Sequence, residues 1–278
     1  MYRLAFIGSL IFILASSVKV TGDLPKSLKE ISGWVFVNDS TLIAHNDSGN
    51  DAKIFVIKPS GKILHECMLK DVNNVDFEAI TYDGKSHVYL GDIGNNDNTR
   101  KNLVVYKLKL EKLLIDDEIT PKKIFFSYPE QKQFPPKPSE RYYDAEALAY
   151  RKDSLYIITK CRTQPFDGNA QVYVLPTTAG TYLAKKKTTI KIGKRDVLRD
   201  AVTSAEFFNH HLYVITYNRL IIYSLKKGLP VFKKQIPLFP ITQKEALAVN
   251  KNGLVYLADE RNKLLGGGLI YTVNTYNK

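Results

Sequence analysis

A motif that recurs along the chain constrains this sequence more than any other feature. One copy reads Asp76-Phe77-Glu78-Ala79-Ile80 and is followed by the apolar run Val88-Tyr89-Leu90-Gly91-Asp92. The same pairing returns as Asp144-Ala145-Glu146-Ala147-Leu148 with Leu155-Tyr156-Ile157-Ile158-Thr159-Lys160. It returns again as Val202-Thr203-Ser204-Ala205 with Leu212-Tyr213-Val214-Ile215-Thr216, and as Glu245-Ala246-Leu247-Ala248 with Val255-Tyr256-Leu257-Ala258-Asp259-Glu260. A degenerate first copy is Ile31-Ser32-Gly33-Trp34-Val35 with Leu42-Ile43-Ala44-His45-Asn46-Asp47. Counted from Gly33, Glu78, Glu146, Thr203 and Glu245, the steps are 45, 68, 57 and 42 residues. They bracket the roughly 40–50 residues of a four-stranded propeller blade.

Further strand runs complete the repeat. Third strands are expected at 53–57, 103–108, 171–175, 220–225 and 269–273, and fourth strands at 63–68, 123–127, 188–192 and 231–236. Gly, Asn, Asp and Pro clusters between them supply turns. The fifth copy ends without a fourth strand, and residues 23–30 are expected to supply it, so that N- and C-terminal strands share one blade. Closing the ring in this way removes exposed sheet edges. The chain therefore reads as an all-β, five-bladed propeller. The long step between Glu78 and Glu146 is assigned to a proline-rich insertion at 128–141, because proline cannot donate to a ladder; a sixth, divergent blade there is the alternative. No blade buries its faces alone, so residues 23–278 form one domain.

Arg3 precedes an apolar stretch, 4–18, of the length of an export signal and shorter than the roughly 20 residues a membrane-spanning helix needs. Val20 and Gly22 place a cut after residue 22, so that 1–22 is the signal; Ala15 and Ser17 offer another. The expected location is secreted or periplasmic, with no membrane span in the mature chain.

The run His45-Asn46-Asp47-Ser48-Gly49, Asp76-Phe77-Glu78-Ala79-Ile80, Gly91-Asp92-Ile93-Gly94-Asn95-Asn96 with Arg100, and Asp144-Ala145-Glu146-Ala147-Leu148 with Thr159-Lys160 resembles a group of secreted bacterial β-propeller proteins of largely unassigned function. That group shows HNDSG, a DWEDIA-like segment, GDIGDN followed by Arg, and DAEAL followed by Thr-Lys. Here Phe77 replaces the usual Trp, Ala79 the usual acid, and Asn95-Asn96 stands where Asp-Asn is common. The resemblance implies a propeller and export, and no reaction. By architecture alone the chain is also distantly similar to calcium-binding six-bladed propellers such as phytases and lactonases.

Equivalent repeat positions should lie at one height around the channel. Glu78, Glu146 and Glu245 then converge, with Thr203 and Ser32 or Gly33 completing the ring. Like charges so placed repel unless a cation, a basic group or a proton intervenes. One reading is an oxygen-ligand site for Ca²⁺, with Asp92 and Asp259 as further ligands; the other is a set of blade-to-blade hydrogen-bond locks. The loops after the tyrosine strands bring His45, Asp47, Asp92, Lys160, Asp259 and Glu260 to one mouth. His45, Asp47, Asp92 and Lys160 are the candidates for acid–base or metal-assisted chemistry there, although Lys160 among so many acids reads as a neutralising partner.

Two functions follow. One is an exported binding or scaffold protein, monomeric, whose partner is a small molecule or an extracellular protein. The alternative is a calcium-dependent hydrolase of phosphoesters or lactones. The net charge of +12 raises nucleic acid as a partner, but the basic clusters at 185–187, 194–195, 226–227 and 233–234 lie on outer strands and turns without interleaved aromatics, so they read as solvated surface. Cys67 and Cys161 fall in different blades, too far apart for a disulfide. Adjacent His210 and His211 and the run 266–268 read as hairpin turns.

Overall fold

Twenty-two strands and two one-turn helices build the ring in the computed structural model, which describes residues 18–275. The expected signal segment lies outside the described residues except for its last positions, and these are structured. Strand β1 (Val18–Asp23) comes first. Blade 1 holds β2 (Ile31–Asn38), β3 (Thr41–Asn46), β4 (Lys53–Ile57) and β5 (Ile63–Leu69). Blade 2 holds β6 (Phe77–Tyr82), β7 (His87–Asp92) and β8 (Leu103–Lys109); after helix α1 (Leu110–Leu113) and the short β9 (Glu118–Ile119) it is completed by β10 (Lys122–Ser127). Blade 3 holds β11 (Asp144–Arg151), β12 (Ser154–Lys160) and β13 (Asn169–Pro176), then, past β14 (Gly180–Leu183), β15 (Lys185–Lys191). Helix α2 (Val197–Asp200) leads into blade 4, with β16 (Ser204–Phe208), β17 (His211–Thr216), β18 (Arg219–Lys226) and β19 (Leu229–Pro237). Blade 5 holds β20 (Lys244–Val249), β21 (Val255–Asp259) and β22 (Leu269–Val273), and β1 is its fourth strand. The ring has five blades, and the insertion at 128–141 adds loop and one 3-10 turn rather than a sixth.

Ring closure falls a few residues earlier than the sequence reading places it. The strand that pairs antiparallel with β22 is Val18–Asp23, with Val18 opposite Val273 and Asp23 opposite Leu269. Residues 24–30 cannot take that role. Pro25 has no N–H for the ladder, and the chain turns instead through Lys26–Leu28, burying Leu28 completely. Two short strands are also unanticipated. β9 pairs parallel with β5, and β14 pairs parallel with β10. Each lies in the connection ahead of a blade's last strand and covers the outer edge of the preceding blade, blunting an aggregation-prone edge.

Five apolar layers hold the blades together, one at each blade-to-blade interface. Between blades 1 and 2, for example, Val35, Ile43 and Ile54 pack on Phe77, Leu90 and Tyr106. The alternation that points one face of every strand at the preceding blade and the other at the next explains why both faces are apolar and why few polar residues occur in mid-strand. Cys67 and Cys161 are both buried and free, as their placement in different blades requires. Burial, with nearby acidic residues, pushes the Cys67 thiol up to about 11, so it is held as an inert thiol. The glycines Gly266, Gly267 and Gly268 all have positive φ in the β21–β22 connection, where a Cβ on Gly267 would strike the carbonyl of Glu260. They are turn residues, not a phosphate loop.

Candidate functional site

Four of the five inner strands begin with the same irregularity. In β6 the ladder runs Phe77 opposite Asp92, then Ala79 opposite Gly91, leaving Glu78 as the extra, bulged residue. Glu146 is bulged in β11, Glu245 in β20 and Ser32 in β2. In blade 4 Thr203 takes this place, its N–H donating to the carbonyl of Ile215. A bulge re-aims one side chain without breaking the strand, and here it turns one polar side chain per blade into the channel. The repeat thus selects Ser32, not Gly33, for the first blade. The oxygens of Glu78, Glu146 and Glu245 lie within 4.8 Å of one another, and the three residues are only 4, 2 and 7% exposed.

Two of these glutamates already have partners. Lys160 Nζ donates to Glu146 Oε1 at 2.9 Å, and Arg162 stands 3.6 Å from the same oxygen. The Tyr217 hydroxyl donates to Glu245 Oε1 at 2.9 Å, with Lys160 over the Tyr217 ring. Facing these carboxylates, the Lys160 ammonium is held well above its usual range even though burial opposes it. Among the described residues, the Glu78 carboxylate has only the hydroxyl of Ser32, at 3.1 Å.

Glu78 belongs to a second group nearer the solvent. Oxygens of Asp47, Asp76 and Glu78 also lie within 4.8 Å of one another. Among the described residues no Lys or Arg comes within ion-pairing distance of any of the three. The motifs at 91–100 and 74–77 hold this group in place. Asp76 is fixed through its main chain: its N–H donates to Asp92 Oδ1, and its carbonyl accepts from the N–H groups of Ile93 and Gly94. Arg100 clamps that turn, donating to Asp92 Oδ1 and the Gly94 carbonyl, each at 2.7 Å. Gly94 must be glycine, because a Cβ there would sit 2.3 Å from Asp76 Oδ2 and 2.5 Å from Glu78 Oε1. Asn74 donates to the Asp47 carbonyl at 2.7 Å and ties the loop of blade 1 to blade 2.

Crowding and burial raise the whole set. Burial first, then Glu146 and Asp47, lift Glu78 well above the carboxylate range. Burial and Asp47 push Asp76 up to about 6, and burial with Glu245 pushes Glu260 to about 7. Glu146 is pushed to about 8 by burial, with Lys160 pulling the other way. Carboxyls whose native pKa exceeds the unfolded value bind protons more tightly in the native state. Their stabilising contribution is therefore complete below about pH 4.5 and is lost as pH rises towards about 8. Thermal midpoints of the cation-free protein should fall across that window, and saturating Ca²⁺ should flatten the decline by taking the place of the protons.

Other predicted residues stand apart from this group. Asp92 is committed to Arg100 and the Asp76 N–H. Asp259 accepts from Thr242 Oγ1 and the Tyr271 hydroxyl, each at 2.5 Å, and from the Leu269 N–H. Neither joins the two oxygen clusters; both brace loops. His45 does not reach the channel. It is fully buried between blades 1 and 2, edge-on to Phe77, and its Nε2 would touch a Cβ on Gly33. Odd-numbered positions of β3 face blade 2, which is why the alignment alone misplaced it at the mouth. Burial lowers its pKa to about 4, so it stays neutral. Asp76, Arg162 and Tyr217 escaped the sequence reading. Asp76 and Asp144 both stand two residues before the bulge, a period that could have flagged them.

Geometry of the donor set fits a hard cation. Every candidate ligand is an oxygen, and separations up to 4.8 Å fall within one shell of ligands at about 2.3–2.6 Å from Ca²⁺. Asp47 and Asp76 are half-buried, which leaves a route from solvent.

No family model matches the chain, and no curated protein matches it. Solved structures do. Glutaminyl cyclase from Myxococcus xanthus is 12% identical with a TM-score of 0.56, covering 92% of this chain and 95% of that one. The PQQ-bound aldose sugar dehydrogenase of Streptomyces coelicolor gives 12% and 0.56, over 92% and 98%. A luciferin-regenerating enzyme gives 10% and 0.50, over 94% and 95%. These likenesses establish the propeller fold. At such identities they carry nothing about chemistry.

Proposed function

We propose that the protein is an exported propeller that holds one Ca²⁺-class cation at the channel mouth, between Asp47, Asp76 and Glu78, and binds an extracellular ligand through that face. The observation that carries this reading is the contrast between the two oxygen clusters. Lys160, Arg162 and Tyr217 satisfy Glu146 and Glu245, while Asp47, Asp76 and Glu78 share a site with no basic partner in ion-pairing reach. Three crowded carboxylates in a partly desolvated site call for a cation or protons, and their spacing suits a cation. The hydrolase alternative would need Asp47 as its base, because His45 is sealed between blades. Among the described residues no helix is long and apolar enough to cross a membrane.

Thermal unfolding tests the reading. Adding Ca²⁺ to about one hundred times its Kd, after EDTA treatment, should raise the midpoint by roughly 5–10 °C. Asp76→Asn should abolish most of that shift. A midpoint indifferent to both EDTA and Ca²⁺ would refute it.

A further inference from the structure

Over blade 4, on the face of the ring that carries the same class of loops, lies a second site of opposite character. A cavity of about 400 Å³ is walled by Arg195, Arg199, Asn218 and Arg219 on one side and by Phe239 and Ile241 on the other. The loop before helix α2 supplies Arg195, the helix Arg199 and the start of β18 Arg219; the segment between β19 and β20 supplies the apolar wall. Asp200 organises the basic side. Fully buried, it accepts from Arg195 Nε and Nη2 and from Arg219 Nη1 at 2.6–3.0 Å. Gly193 makes room for it, since a Cβ there would sit 2.2 Å from Asp200 Oδ2. Arg219 is fixed further by donation to the carbonyl of Ile192.

Three features point to a ligand rather than a structural cluster. Arg219 is nine-tenths buried and locked against Asp200 and the Ile192 carbonyl, so the basic wall is preformed, as in most small-molecule sites. Arg195 and Arg199 stay half-exposed or more, at 49 and 60%, although each is steered by a carboxylate. Phe239 and Ile241 stand 67 and 53% exposed beside them, an arrangement of apolar wall and convergent donors that is typical of small-molecule sites. Three guanidinium groups face the carboxylates of Asp196 and Asp200, which leaves one net positive charge.

We propose that this cavity binds a small amphipathic monoanion: one carboxylate, held by the arginines, on a short apolar or aromatic body resting on Phe239 and Ile241. Guanidinium groups suit carboxylates through paired N–H donors, and the single net charge favours a monoanion over a phosphate dianion.

Calorimetric titration of the full-length mature protein in EDTA, with 3-phenylpropionate as the probe, tests this independently of the channel cation. One-to-one binding with a Kd on the order of 1 mM is expected. 3-Phenylpropanol and inorganic phosphate should each bind at least about tenfold more weakly. The surface variants Arg199→Ala and Phe239→Ala, with unchanged circular dichroism, should each weaken binding by about tenfold. The proposal fails if no saturable binding is found by about 20 mM, if the alcohol or phosphate binds as well as the acid, or if both variants bind like the parent.

Discussion

A chain that begins at Asp23 will unfold about 10 °C below one that begins at Val18. Val18, Lys19, Val20 and Gly22 all pair with β22, and only Asp23 would survive the shorter start. Most of β1 is exposed, so its contribution is backbone pairing rather than apolar burial. At about 1 kcal/mol net per hydrogen bond, losing the strand costs about 3 kcal/mol, and at this chain length that is roughly 10 °C. The truncated chain will also expose the edge of β22 and associate through it. If the chain is exported as proposed, removal of the signal must leave β1 whole. A signal ending at Ser17, with Ala15 and Ser17 at positions −3 and −1, does so; one ending at Gly22 does not. Edman sequencing of the exported protein is expected to start at Val18, and equal midpoints for the two chains would contradict the closure described here.

Lys160→Met will cost about 3 kcal/mol without added cation. The substitution strips Glu146 of its 2.9 Å partner inside the channel, where an uncompensated carboxylate must take up a proton or pay for desolvation. Because the ammonium no longer opposes burial, the Glu146 carboxyl moves further up, and the deficit will grow as pH rises. Lys160→Met with Glu146→Gln should recover most of the loss. Ca²⁺ should stabilise the single variant more than the parent, since a competing positive charge has gone. Denaturant unfolding at pH 5 and pH 8 checks both. A single variant as stable as the parent at pH 8 would show that the buried pair holds nothing.

Much of this was legible in the repeat. Period, strand order and the convergence of Glu78, Glu146 and Glu245 all follow from one motif, because a bulge at a fixed place in their three inner strands produces both the sequence signature and the geometry. What the repeat hid was function within equivalence. Asp92 and Asp259 align with each other but hold different loops, one through Arg100 and the other through Thr242 and Tyr271. His45 aligns near the mouth but faces a neighbouring blade, since one step along a strand reverses a side chain. Asp76 looked like flanking sequence because its importance depends on Asp47, which arrives from another blade. The charge count was least informative. Exposed lysines on outer strands such as β15 and β19 add to the total, and it conceals both an acidic channel and an arginine-lined cavity.

Equilibrium dialysis of the metal-stripped protein against radioactive calcium at pH 7.5, with Asp76→Asn and Glu245→Gln alongside, tests for a cation at Asp47, Asp76 and Glu78. One ion per chain is expected for the parent, with at least about a tenfold loss of affinity for Asp76→Asn and a smaller effect for Glu245→Gln, whose carboxylate is already held by Tyr217. No bound calcium, or a loss confined to Glu245→Gln, would contradict it.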